Sequence, residues 1–377
     1  MVPRLPFGFR LIAPLALLPA LIGCHGAQPA QGPLSAEALG AVVAHPGPSR
    51  QALARAVDAL FTEKGLGETR ALLVVSKGQL VAERYAPGFG KDTRFIGWSM
   101  SKTVTGLLIG MLVSDGQLRL DMGAPIPAWQ RPGDPRGEIT LRQLLQMRSG
   151  LAHVENSDPP QLADTARMLF LDGRDNMAAY AESQPLVAEP GKRWVYSTAT
   201  SVILADIATR ALTDSADAAL RRRVLDEYFH TRLTQPLGLK SMVAEYDAAG
   251  TMLGGSMIYA TARDWGRLGE FLRQGGRASG TQVVPVDWIR FMTEPSPANP
   301  GYGGQLWINR PQSTGKEELF PGRAPASLFA LIGHLGQYVL VSPDQQLVVV
   351  RLGKSTEEER VAVRDRLADI VELFPAR

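Results

Sequence analysis

Phe95-Ile96-Gly97-Trp98-Ser99-Met100-Ser101-Lys102-Thr103 opens a stretch that continues uncharged through Val104, Leu107, Leu108, Ile109, Met111, Leu112 and Val113 to Ser114. Apolar residues occupy every side of that run, which predicts a helix from Trp98 to Ser114 buried all round. Asp115-Gly116 supplies its stop. Lys102 follows Ser99 by three residues, so one helical turn stacks its amine over the hydroxyl. A serine hydroxyl attacks poorly until a base takes its proton. A lysine in an apolar setting sheds its own proton more readily, because desolvation disfavours the ammonium. The start of such a helix also favours developing negative charge. The spacing is weak by itself, since an N-cap serine beside a snorkelling lysine reads the same way. Ser313-Thr314-Gly315-Lys316 repeats it in a polar loop with no buried helix behind it, and is read as a chance match.

Outward from this helix, Ser49 to Leu66 carries apolar residues at helical spacing (Leu53, Val57, Leu60, Phe61). Residues 71–76 and 79–85 flank Lys77-Gly78 and predict a two-stranded hairpin. Strands return late, at Ser327–Ile332, Gln337–Val341 and Gln346–Leu352, before an amphipathic helix from Thr356 to Phe374. Residues from about 120 to 325 read as helix and loop, rich in Pro and Gly. Strands at both ends around a helical excursion predict an α+β fold: an antiparallel sheet built from N- and C-terminal segments, flanked by helices, with a mainly helical inserted lobe.

The composition is that of a globular chain, 45% apolar and 20% charged. A formal charge of +3 is too small and too dispersed for a nucleic-acid binder, so no nucleic-acid partner is expected. Cys24 is the one cysteine, which excludes an internal disulfide or a Cys-based zinc cluster. It ends a leader in which Arg4 and Arg10 precede an uncharged run from Leu11 to Ile22. That run is too short to span a bilayer. Leu21-Ile22-Gly23-Cys24 resembles a bacterial lipobox, which implies cleavage before Cys24 and a lipid on its thiol. The expectation is a signal peptide at 1–23, a lipid-anchored flexible tether at 24–48 and one folded domain at 49–377, exported and facing the periplasm, with His25 after the cysteine suggesting the outer membrane. Loss of the leader would bring the charge of +3 down to +1.

Five ordered blocks carry a family resemblance. They are the Ser99 helix, Leu144-Leu145-Gln146-Met147-Arg148-Ser149-Gly150-Leu151, Pro190-Gly191-Lys192-Arg193-Trp194-Val195-Tyr196-Ser197, Gly254-Gly255 followed by Tyr259-Ala260-Thr261-Ala262-Arg263-Asp264, and Gly333-His334-Leu335-Gly336-Gln337. In order and spacing the chain resembles serine β-lactamases and penicillin-binding proteins, most of all the branch of class C β-lactamases, 6-aminohexanoate-dimer hydrolases and β-lactamase-like esterases. The resemblance implies Ser99 as nucleophile, Lys102 as its partner and Tyr196 as a second base. It implies an oxyanion hole from the backbone N–H groups of Ser99 and Gln337, and substrate contacts at His334, Gly336 and Trp98. Thr198 stands where many relatives have Asn, which removes an amide from that point.

The expected activity is hydrolysis of small esters or linear amides through an acyl-enzyme. The alternatives are a β-lactamase or D-alanyl-D-alanine carboxypeptidase, or a non-catalytic penicillin- or peptide-binding relative. A lysine at the His334 position would offer a fixed charge to a substrate carboxylate, whereas histidine is mostly neutral at pH 7. That favours uncharged substrates, with Trp98, Tyr302 and Trp307 as candidates to line an apolar pocket. His25, His45, His153 and His230 lack ligand spacing and are read as surface residues, so no metal and no cofactor are expected. No Gly-x-Ser-x-Gly elbow and no Gly-rich phosphate loop occurs. Besides a small-molecule ester, amide or peptide substrate and the membrane reached through the anchor, no obligate protein partner is evident.

Overall fold

Lys77 and Gly78 both take positive φ, 53° and 76°, the conformation of a two-residue turn whose twist matches paired strands. They join strands β1 (Glu68–Ser76) and β2 (Gln79–Tyr85). The computed structural model describes residues 33–376. The leader, Cys24 and the first part of the expected tether lie outside the described residues. From Leu34 onward the chain already belongs to the domain, which corrects the tether's expected end at residue 48. Helix α1 (Ala36–Gly40) is capped by Ser35 and buries Ala38. Val42 then bridges to Ala82, and Arg84 reaches both Glu37 and Asp58.

Two further strands of sequence order, β3 (Arg94–Ile96) and then β4 (Val243–Ala244), belong to a small sheet completed by β5 (Ile258–Thr261), in the order β3-β5-β4. A hairpin of β6 (Arg277–Ala278) and β7 (Thr281–Gln282) stands apart. The main sheet is completed by β8 (Trp307–Ile308), β9 (Phe329–Gly333), β10 (Gln337–Ser342) and β11 (Leu347–Lys354). Its order is β2-β1-β11-β10-β9-β8, and its neighbours pair antiparallel. The first long strand therefore pairs with the last, from Glu68 opposite Lys354 to Ser76 opposite Leu347.

Both faces of this sheet are covered, which is why its inner strands read as unbroken apolar runs. On one face Leu72, Val74, Leu340 and Val349 meet helices α2 (Arg50–Thr62), capped by Ser49, and the C-terminal Glu359–Glu372 helix. On the other, Leu73, Val339, Val348 and Val350 join the core of the lobe. The lobe carries α3 (Ser101–Ser114), α4 (Leu141–Leu145), α5 (Asp164–Phe170), α6 (Met177–Glu182), α7 (Thr198–Leu212), α8 (Ala218–Phe229) and α9 (Gln235–Leu237). Helix α10 (Ala262–Arg273), followed by α11 (Val286–Thr293), leaves it and packs on β11, β10 and β1. The C-terminal helix is α12. The helical lobe is thus shorter than the expected 120–325. The apolar stripe of α10 (Trp265, Leu268, Leu272) needs a sheet to cover it, and β8 adds an edge strand.

Gln305 clasps the lobe behind the site. Its side chain accepts from Ser201 Oγ of α7 at 2.6 Å and donates to Leu145 O at 2.9 Å. Its carbonyl accepts from Thr103 Oγ1 of α3 at 2.7 Å. Two helices that carry site residues are thereby fixed to one buried amide.

Candidate active site

The buried helix begins as a 3₁₀ turn, Trp98–Met100, and becomes α-helical at Ser101. Ser99 is therefore not an N-cap; it sits on the tight turn, half-buried, while Lys102 is 1% exposed. The turn is pinned to β5: Gly97 N donates to Ile258 O at 2.8 Å, and Ile258 N donates to Ser101 Oγ at 3.1 Å. Gly97 has no room for a side chain, since a Cβ there would lie 2.5 Å from Trp265 Cζ2. Trp98 takes φ 47°, a strained value for a bulky residue, of the kind found where structure is held for function.

Lys102 Nζ lies 3.0 Å from Ser99 Oγ, 2.8 Å from Thr198 Oγ1 and 2.8 Å from Gly255 O. Burial strips water from the ammonium and brings its pKa down to about 8, against an opposing pull from the Glu155 charge. Gly255 is required by proximity: a Cβ would lie 2.8 Å from Thr198 Cγ2. Thr198 in turn donates from Oγ1 to Glu155 Oε1 at 2.6 Å and from its backbone N to Glu155 Oε2 at 2.6 Å. Thr165 Oγ1 donates to the same Oε2 at 2.7 Å.

Tyr196 precedes α7, whose N-cap is Ser197. Its side chain stands beside Ser99, and its ring centroid lies 4.9 Å from Lys102 Nζ. Burial holds the phenol far above its ordinary pKa, so at neutral pH it is an O–H donor and not a resident base. Trp307 stacks on its ring at 5.2 Å and Tyr302 meets it edge-on at 5.9 Å. Tyr302 is 1% exposed and so supports Tyr196, in place of lining a substrate pocket as expected. Next to Tyr196, His153 is buried, which corrects its reading as a surface residue. Its Nε2 lies 3.0 Å from Ala181 O, a pure acceptor, so Nε2 carries the proton and Nδ1 accepts from Ser197 Oγ at 3.0 Å. Burial holds its pKa below the ordinary value.

The opposite wall is the turn between β9 and β10. His334 is exposed there and meets Trp98 edge-on at 5.4 Å. Desolvation, with a smaller push from Arg360, keeps its pKa below 6.5, so the imidazole is neutral at pH 7. Gln337 opens β10 and locks its side chain to the β11 backbone through Gly353 N and O, at 2.9 and 2.7 Å, and to His334 O at 3.0 Å. Gly336 has φ 80° and is buried, its carbonyl accepting from Arg351 Nη1 at 2.7 Å. It shapes the turn between His334 and Gln337.

The tertiary structure thus brings Ser99, Lys102 and Tyr196 together, with Trp98 and His334 at the mouth. Ser313 and Lys316 lie in an exposed loop, where Lys316 pairs with Glu357. Glu155 was not singled out from sequence. It lies five residues past Gly150 in a loop, and no local pattern marks it. Among the described residues no group of three or more His, Cys, Asp or Glu side chains is arranged to hold a metal ion. No helix among them is long and apolar enough to cross a membrane.

A family model described as beta-lactamase matches residues 54–372. The 6-aminohexanoate-dimer hydrolase of Paenarthrobacter ureafaciens is 27% identical over 249 residues, covering 62% of this chain; the chain spans 61% of that relative's own length. Among solved structures, a family VIII carboxylesterase superposes with a TM-score of 0.62 at 16% identity, covering 85% of this chain and 96% of the other. A D-stereospecific amidohydrolase from a Streptomyces species gives 0.57 at 20% identity, covering 84% and 98%. The α+β fold with its central antiparallel sheet is the one these structures share.

Proposed function

The chain belongs to the beta-lactamase family, and on that footing we propose that it hydrolyses small uncharged esters or linear amides through an acyl-enzyme on Ser99. The observation that carries this reading is a lysine sealed from water 3.0 Å from a half-exposed serine hydroxyl. Neutral Lys102 takes the Ser99 proton as Oγ attacks the carbonyl carbon. The backbone N–H groups of Ser99 and Gln337 are assigned to the resulting oxyanion, where such donors contribute several kcal/mol. Tyr196, a neutral phenol beside Ser99, gives its proton to the departing alcohol or amine and recovers one from the Lys102 ammonium, which returns both groups to their starting state. Water then repeats the sequence on the ester to release the acid. The names of the relatives, a dimer hydrolase, a carboxylesterase and an amidohydrolase, support this range of leaving groups.

Neutral His334 offers one hydrogen bond but no fixed charge, and charge-assisted bonds are about twice as strong as neutral ones. A nitrophenyl butyrate is therefore expected to show a higher kcat/KM than a cephalosporin at pH 7. His334→Lys is expected to raise turnover of carboxylate-bearing substrates relative to the ester. Efficient cephalosporin hydrolysis by the parent, or a variant with unchanged preference, overturns this substrate class. A fluorophosphonate that labels the parent but not Ser99→Ala tests the nucleophile directly.

We also propose that the protein works outside the cytoplasm on a lipid anchor, a reading supported by Leu21-Ile22-Gly23-Cys24. Cys24→Ala is expected to shift the protein from the membrane to the soluble fraction or to leave an uncleaved precursor. Fractionation identical to the parent removes the anchor.

A further inference from the structure

Lys102 has three polar neighbours and, when neutral, only two N–H donors. Gly255 O can only accept, so it always takes one of them. A threonine hydroxyl could go either way: it can accept from the amine, or turn and donate to the nitrogen lone pair. In the second case the lone pair is occupied and cannot receive the Ser99 proton. The direction of one hydroxyl therefore decides whether Lys102 is a base toward the nucleophile.

Glu155 makes that choice. Its Oε1 lies 2.6 Å from Thr198 Oγ1 and its Oε2 2.6 Å from Thr198 N. The carboxylate grips residue 198 by side chain and backbone at once, and Thr165 steadies it from α5. With its proton committed to Glu155, Thr198 Oγ1 presents only lone pairs to Lys102. We propose that Glu155 is a positioning residue for acylation: acting through Thr198, it directs the lone pair of neutral Lys102 at Ser99 Oγ. The inference rests on the hydrolase reading above and assigns Thr198, which replaces an amide found in many relatives, a role that needs the carboxylate behind it.

Gln cannot substitute. If its NH₂ faces Thr198 Oγ1, it donates where it must accept and frees the hydroxyl to block Lys102. If its oxygen faces the hydroxyl, the NH₂ meets Thr198 N, donor against donor. The carboxylate also has an electrostatic signature, because its charge favours the ammonium of Lys102. The other titratable groups around the site are Tyr196 ahead of α7, His153 behind it and His334 on the β9–β10 turn. Arg360 of α12, paired with Glu318, acts on His334 and Tyr196. Among the causes acting on Lys102, Glu155 is the charged one.

The test is the rate of fluorophosphonate labelling of the full domain as a function of pH, which needs no substrate assignment. The parent is expected to label faster as pH rises through about 8, as Lys102 loses its proton. Glu155→Gln is expected to lower the high-pH plateau about tenfold or more and to move the rising limb to lower pH. Thr198→Val is expected to lose a similar factor at the plateau, while Thr198→Ser, which keeps the hydroxyl, stays within about threefold of the parent. A lowered plateau with an unmoved limb marks Glu155 as merely structural and overturns the inference, as does a slow Thr198→Ser or a fast Thr198→Val. If Glu155→Gln does not fold, as read by its thermal melt, the two Thr198 variants decide. A parent that takes no label overturns the hydrolase reading itself, which is a different result from a labelled parent indifferent to residue 155.

Discussion

Lys102→Ala is expected to cut the rate of Ser99 acylation by about three orders of magnitude, the usual scale for a general base held in place. The loss has two parts. The alanine variant lacks the amine that lies 3.0 Å from Ser99 Oγ to take its proton, and it leaves Thr198 Oγ1 and Gly255 O facing an empty, buried space. Tyr196→Phe is expected to cost a comparable factor, since its hydroxyl is the proposed proton donor to the leaving group. The double variant should lose little more than either single one, because groups that pass one proton act as a unit. Pre-steady-state acylation with a chromogenic ester measures this. Losses that multiply, or a lysine variant near the parental rate, remove Lys102 from the mechanism. Ser313→Ala and Lys316→Ala serve as silent controls.

Arg351→Met is expected to destabilise the domain by about 2–6 kcal/mol, the cost of leaving hydrogen-bond acceptors without their donor. Arg351 is fully buried in β11, and burial above all brings its pKa down to about 10. Among the described residues it has no carboxylate partner. Its guanidinium donates instead to Gly336 O at 2.7 Å, Ser355 Oγ at 2.8 Å, Glu68 O at 3.1 Å and Thr69 Oγ1 at 3.1 Å. A methionine would leave the two carbonyls buried without donors, each costing on the order of 1–3 kcal/mol. Because Gly336 adjoins Gln337, acylation should slow in the same variant. Urea unfolding gives the stability. Arg290→Met, which removes an exposed pair with Asp287, is the control and should change stability by less than about 1 kcal/mol. Equal midpoints for the two variants refute the role given to Arg351.

Periodicity was sufficient to read the α+β class, the Lys77-Gly78 hairpin and the pairing of N- and C-terminal strands. These depend on local backbone preference and on which faces must leave water. The Ser99–Lys102 pair was legible for the same reason: both residues lie on one helical turn, so their distance is set by the helix and by nothing else. Where packing over long sequence separations decides, the chain was silent. The return of α10 to the sheet depends on which apolar surface is left uncovered after the lobe has formed. The start of the domain at Leu34 depends on Ala38 and Val42 finding α2 and β2. Arg351 reads as an interruption in an apolar strand until the carbonyls of Gly336 and Glu68 are seen around it. Thr198 and Glu155 are 43 residues apart, and nothing in either neighbourhood foretells their contact. Sequence alone picked out the proposed nucleophile and the proposed base beside it. Which way that base points depends on a hydroxyl and a carboxylate that only the folded chain brings together.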